Sequence, residues 1–303
     1  MSDDVLSWER FYNNSKKRNS YPPKEMDLFN RLVAHSENFF AISAIGPFTE
    51  GYLLIITKKL LSSFALIEDD KIDEMNWFIK SISKAIEETY NRNTVIFEHG
   101  MCACVGGLDR AHLHLMTIDK KISNQTFINS INKVLYNRKA GIEYVEYNGY
   151  KLENIHDINQ IMNSNEKSSY KIVGKQLTYD DIKDDLDHKK WPKSAREHVG
   201  RGGHYVYFNN NSHSSSFLTN KNFNTQLGRE ILFEVEISSN DKLKNFYDKT
   251  VKQNPYANVW KWQEFPFKEN ISKTMLDIAP SLLKIKNLPD AKFYKFETFE
   301  IKS

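Results

Sequence analysis

The stretch Arg110-Ala111-His112-Leu113-His114-Leu115-Met116 constrains this chain more than any other feature. Successive side chains of a β-strand point to opposite faces. On a strand, Arg110, His112 and His114 share one face while Ala111, Leu113 and Leu115 face a core. Nitrogen-bearing side chains in register beside an apolar layer are costly to desolvate unless they meet a ligand or polar partners. Gly106-Gly107, just upstream, permits close backbone approach, so its amides could cradle a phosphate. Imidazole is a good nucleophile toward phosphorus near neutral pH, because an unperturbed histidine is largely neutral there. A second histidine and a guanidinium can stabilise charge on the non-bridging oxygens.

The surroundings predict an α+β layer with an antiparallel sheet. Phe39–Ile42 and Tyr52–Thr57 read as strands joined by the turn Gly46–Gly51. Ile72, Met75, Phe78, Ile79, Ile82, Ile86 and Tyr90 recur at helical spacing, so Asp69–Tyr90 reads as a long amphipathic helix. Thr94–Phe97 is a strand, a glycine- and cysteine-bearing loop leads to the strand at Ala111–Thr117, and Gln125–Leu135 is a helix. Near the start, Met26, Leu28, Phe29, Leu32 and Val33 have a helical pattern.

From about residue 150 the texture changes, and residues 160–202, rich in Asn, Lys and Asp, read as a mobile surface excursion or insertion. A strand at His204–Phe208 follows, with helices at Thr225–Glu236, Leu243–Val251 and Ile271–Leu283. The expected division is a catalytic domain at 1–145, a linker or insertion at 146–202 and a smaller α+β or mainly helical C-terminal extension at 203–303.

With 42 basic and 39 acidic residues the chain is nearly balanced, so neither a nucleic acid nor a membrane surface is an expected partner. The N-terminus lacks a signal-peptide pattern. No apolar run reaches the roughly 18 residues a membrane span needs. A disulfide between Cys102 and Cys104, one residue apart, would be strained, and a reduced cytoplasmic protein is the plain expectation. Cys102, Cys104, His99 and His112 are metal-ligand types. Two cysteines in one loop read equally as small side chains beside a site, and this second reading is the one adopted. His204 and Lys189-Lys190 read as surface or structural features, Trp260, Trp262, Phe265 and Phe267 as core. Arg201 and Arg229 could reach a phosphate from the extension.

The run at 110–116 resembles the histidine-triad (HIT) superfamily, whose signature alternates histidine with apolar residues. Glu50–Lys59, Ser62-Ser63-Phe64 and the long helix are similar to that family in the expected order, so the resemblance covers about residues 36–120. More loosely, Gln226–Arg229 and Trp260 through Thr274 are similar to C-terminal extensions of some microbial HIT proteins. The resemblance implies a HIT-like antiparallel sheet with packed helices and a nucleotide hydrolase or transferase. His112 would be the nucleophile and His114 a catalytic phosphate contact. Arg110, Gly106 and Gly107 would bind phosphate, and Glu98, Ile45 and Phe39 the nucleotide. It also implies a nucleotide-type substrate and a homodimer, with no cofactor, since the site would supply its own cations and dipoles.

Departures are specific. Arg110 stands in place of the first histidine, Tyr52 in place of the histidine after Gly51, and Leu60 in place of another. Ala44 replaces the residue that often holds the ribose hydroxyls. These changes leave open a rival reading, a binding protein that holds a phosphorylated ligand without turnover. Relatives that transfer nucleotides to sugar phosphates usually carry Gln at the position of His114, so the retained histidine favours hydrolase-type members.

Overall fold

The computed structural model describes residues 31–44, 46–101, 111–153, 155–163, 170–183, 189–210, 213–218, 227–251, 269–285 and 297–298. The first part of the chain builds β1 (Leu32–His35), β2 (Phe39–Ser43), β3 (Leu53–Thr57), α1 (Ile72–Tyr90), β4 (Asn93–Gly100), β5 (His112–Ile118) and α2 (Asn124–Asn137). The middle adds β6 (Ile142–Tyr147), β7 (Tyr150–Leu152), α3 (Ile155–Asn163), β8 (Tyr170–Gly174), α4 (Tyr179–Ile182) and α5 (Lys193–Gly200). Then come β9 (Tyr205–Asn210), β10 (His213–Leu218), α6 (Leu227–Ile237), α7 (Asp241–Phe246), α8 (Glu269–Ile285) and β11 (Glu297–Thr298).

The fold is α+β. Its main sheet has the order β10-β9-β4-β5-β3-β2-β1-β11, every neighbouring pair antiparallel. β9 and β10 therefore continue the sheet beyond β4 instead of forming a layer of their own. The helical pattern at Met26–Val33 does not persist in the described residues: Leu32 and Val33 lie in β1, where pairing with β2 overrides local periodicity. The stretch read as an excursion also carries structure. β8 pairs with β6 in a small sheet, and Trp191 is buried, its ring 4.3 Å from Tyr207 and nearly parallel to it.

Both faces of the main sheet are covered. On one, Leu53, Ile55, Ile96, Leu113 and Leu115 meet Met75, Phe78, Ile82 and Ile86 of α1, with Ala195 of α5 and Ile278 of α8. On the other, Leu54, Ile56, Val95, Phe97, Met116 and Phe208 meet Phe127 and Ile131 of α2 and Ile231, Leu232 and Val235 of α6. Asp73 and Glu74 in the first turn of α1 complement its dipole. Glu74 also accepts hydrogen bonds from Ser36 Oγ and the Asn38 amide, pinning the β1–β2 turn. Fully buried Glu236 fastens α6 to the sheet by pairing with Arg92 and accepting from Asp119 N.

Glu98 and Phe39, expected to bind a nucleotide, belong to the α1 face. Phe39 packs between Phe64 and Phe78, ring centroids 6.1 and 6.3 Å away. Glu98 is buried and accepts from Phe64 N at 2.7 Å and from the Tyr205 hydroxyl at 2.6 Å. Alternation is the reason: Glu98 is one residue beyond Phe97, which takes the histidine-bearing face.

Burial pushes the Glu98 carboxyl up to about 7, against bonds from Tyr205, Phe64 and Ser63 that lower it. A carboxyl raised in the folded state binds more protons folded than unfolded between its ordinary 4.5 and about 7. Its contribution to stability therefore falls as pH rises through that window. Glu98→Gln should remove this dependence, so its stability relative to the wild type rises across the window in urea unfolding. Parallel pH profiles for the two proteins would refute that assignment.

Candidate functional site

His112 and His114 are placed by the register of β5 between its neighbours. His112 pairs with Ile56 of β3, while His114 pairs with Leu54 on one side and Phe97 of β4 on the other. Both rings face α2 and α6, and both are partly buried, with centroids 5.0 Å apart. The Phe97 ring stacks on His114 at 4.1 Å and 7°, which fixes the imidazole plane. The β4–β5 register, carried two residues beyond Phe97, brings His99 alongside His112. Electrostatic coupling between these two rings reflects that proximity.

The surrounding polar groups come from two further parts of the chain. The hydroxyl of fully buried Tyr52 lies 2.7 Å from His114 Nδ1. Arg229, in the first turn of α6, places its guanidinium carbon 5.6 Å from the ring centres of both Tyr52 and Phe48. It donates from Nη2 to Gly46 O at 2.6 Å. One residue earlier, Gly228 N donates to His99 Nε2 at 3.0 Å. A Cβ at Gly228 would fall 2.4 Å from the Phe97 ring and 3.1 Å from His99 Nε2, so only glycine allows α6 this close.

Burial, reinforced by His112, lowers the His99 imidazole to about 3. Burial also holds His114 well below the usual range, reinforced by His112, Arg229 and His99. Tyr52 is pushed up to about 12 by burial, with Arg229 pulling the other way, and remains a protonated phenol. His99 and His114 are thus neutral imidazoles, the form that can donate or accept a neutral hydrogen bond.

Arg110, Gly106, Gly107, Ile45, Cys102 and Cys104 lie outside the described residues, as do Trp260, Trp262, Phe265 and Phe267. Arg201 is exposed at the end of α5 and pairs with Glu197. Arg229 does reach the histidines. Ala44 is buried, and Leu60 is exposed. His99 and Tyr52 join the site without having been assigned a role in it. Period-two spacing from Phe97 carried the signal for His99, and the position after Gly51 carried that for Tyr52. Among the described residues, no group of three or more His, Cys, Asp or Glu side chains is arranged to hold a metal ion.

A histidine whose imidazole is lowered this far should not titrate where free histidine does. The His99 ring proton shifts, followed by NMR, should stay constant from about pH 8 to pH 5. A midpoint at the ordinary 6.5 would contradict the burial of this ring. Because the unfolded chain protonates first, His99 and His114 withdraw stability as pH falls below 6.5.

Residues 27–121 match the HIT domain family. Solved structures similar to the chain include a HIT-like protein involved in cell-cycle regulation from Bartonella henselae, at 18% identity and a TM-score of 0.28, covering 35% of this chain and 75% of that one. A hypothetical histidine triad nucleotide-binding protein from Sulfolobus tokodaii is similar at 22% identity and a TM-score of 0.27, covering 30% and 61%. A zinc-bound histidine triad family protein from Mycobacterium smegmatis is similar at 21% identity and a TM-score of 0.28, covering 37% and 78%. No curated protein matches the chain. The HIT domain match spans β1 through β5 and both histidines of β5.

Proposed function

We propose that the protein is a nucleotide hydrolase or nucleotidyl transferase acting at a nucleoside phosphate, with His112 as the nucleophile. The observation that carries this reading is the cluster of His99, His112 and His114 on one face of β4 and β5, within the segment that matches the HIT domain. In the first step a ring nitrogen of His112 forms a bond to the α-phosphorus. The bond from phosphorus to the leaving group breaks, and that group departs with the electron pair and takes up a proton. In the second step water, or another acceptor hydroxyl, attacks the same phosphorus. The N–P bond then returns its pair to His112, and the attacking oxygen gives up its proton.

His114 is suited to bind a non-bridging oxygen as charge develops, because its ring is held in plane by Phe97 and tied at Nδ1 by Tyr52. Arg110, Gly106 and Gly107 are proposed to bind the phosphate, the arginine bidentately. A cytoplasmic homodimer with a nucleotide-type substrate completes the proposal. No described helix is long and apolar enough to cross a membrane. The division at 1–145, 146–202 and 203–303 is retained only as the order in which the site is assembled: histidines from the first part, Arg229 from the last.

Turnover of dinucleoside polyphosphates, nucleoside phosphoramidates and nucleotide sugars by wild type and His112→Ala tests the reading. Product from the wild type, reduced at least ~10⁴-fold in His112→Ala, is the expected result. Binding of panel members without product would instead establish the rival, a phosphate-ligand binding protein, which Arg110 in place of the first triad histidine favours.

A further inference from the structure

The α1 side of the main sheet, opposite the histidines, holds a cleft of about 590 Å³ between α1, β4, β9 and the residues leading into α5. A volume of this size suits a small organic molecule. Its apolar lining comes from Ile79, Ile96, Trp191 and Tyr207. Trp191 lies between Tyr207, 4.3 Å away, and Phe64, 6.2 Å away, with both rings nearly parallel to it. Both faces of the indole are taken, which leaves its edge, where Nε1 lies, for other contacts. Two lining residues, Ser83 and Trp191, are only 2% and 8% exposed. Ser83 Oγ and Trp191 Nε1 are nevertheless without a hydrogen-bond partner among the described residues. Such buried orphans are uncommon, and each costs free energy until something pairs with it.

The charge lining the same cleft is of one dominant sign. Lys80 and Lys84, one turn apart on α1, and Lys189 all line it and are exposed. Glu87 is the only carboxylate among the lining residues, and its Oε1 already accepts from Thr94 N and Thr94 Oγ1. Lys84 also meets Glu88 at 3.8 Å, an exposed pair that contributes little. The cleft therefore presents mainly donors: ammonium groups, a hydroxyl and an indole N–H that can only donate. We propose that it is a second binding site, for a small phosphate ester with an apolar body. Three lysines against one glutamate leave an excess positive charge that a phosphate dianion matches better than a carboxylate does. The lysines and the two orphaned donors take the phosphate oxygens, and the body covers Ile79 and Ile96. β4 separates this site from the other: Ile96 lines the cleft, while Phe97, next along the strand, stacks on His114. The proposal does not depend on the reaction assigned to His112.

The test follows the Trp191 indole ¹⁵N–H resonance, assigned with Trp191→Phe, as phenyl phosphate, benzoate, inorganic phosphate or phenol is added. Phenyl phosphate should shift it along a saturating curve, equally in the wild type and in His112→Ala. That comparison separates occupancy of the cleft from occupancy of the histidine face. Lys80→Gln combined with Lys84→Gln changes only exposed positions and should lower the affinity by ~10-fold or more. Added sodium chloride should weaken the wild-type complex. Phenol and inorganic phosphate should each bind more weakly than phenyl phosphate, because each supplies only one part of what the cleft recognises. No saturating shift of Trp191 in the wild type overturns the proposal. So does a shift that keeps its full affinity in the double lysine variant, or one that disappears in His112→Ala. Benzoate bound as tightly as phenyl phosphate would overturn the assignment to a phosphate ester.

Discussion

The pairing of β5 between β3 and β4 is the constraint on which the rest of the structure depends. Because its residues alternate, one strand supplies Leu113 and Leu115 to the α1-side core and His112 and His114 to the opposite side. A slip of one residue would bury the imidazoles against α1 and turn the leucines toward the site. The register is held by Leu53, Ile55 and Ile96, which are apolar on the same face as the two leucines. The chemistry and the core are therefore fixed together. Neither can be altered on β5 without the other.

Taking imidazoles out of water disfavours their protonated forms, and the depressed values of His99 and His114 record that cost. The offsetting contacts are local and specific: Phe97 stacked on His114, Tyr52 on its Nδ1, and Gly228 N on His99. The last of these comes from α6 itself, and Arg229 of the same helix lies over the Tyr52 ring. Glu236 ties the far end of the same helix to Arg92 and Asp119, at the ends of the strands that carry the histidines. Helix and histidine face therefore form one packed unit. α8 holds the β2–β3 turn from another direction, with Asn270 donating to Pro47 O and Thr274 accepting from Gly51 N.

Much of this was legible in the sequence, for definite reasons. The alternation at 110–116 and the helical period from Ile72 to Tyr90 are strong local patterns; the helix forms over Ile72–Tyr90 and the strand from His112 onward. The strand at 204–208 and the helix at 225–236 were legible too, but not their destination, since nothing local says that β9 joins the edge of β4. The same gap covers Glu98 and Phe39, expected as nucleotide contacts. Assigning a face to Glu98 or Phe39 requires the register with neighbouring strands. The resemblance implied a nucleotide contact for both without saying which face they take; in the structure Glu98 meets Tyr205 and Phe39 meets Phe64. Leu32 and Val33 have a helix-like apolar spacing, yet pairing with β2 decides their conformation. His99 was visible only as a residue type. Its role needed the cross-strand alignment with His112 and a helix amide from 129 residues away.

The central claim is that His112 becomes covalently attached to phosphorus during a turnover. Rapid denaturing quench of the protein mixed with a nucleoside phosphoramidate or dinucleoside polyphosphate, followed by intact mass and peptide mapping, tests it most directly. The account predicts a transient mass increase equal to one nucleotidyl group, acid-labile and located on His112. Product formed while the protein mass stays unchanged, or an adduct that maps to His99 or His114, would contradict it.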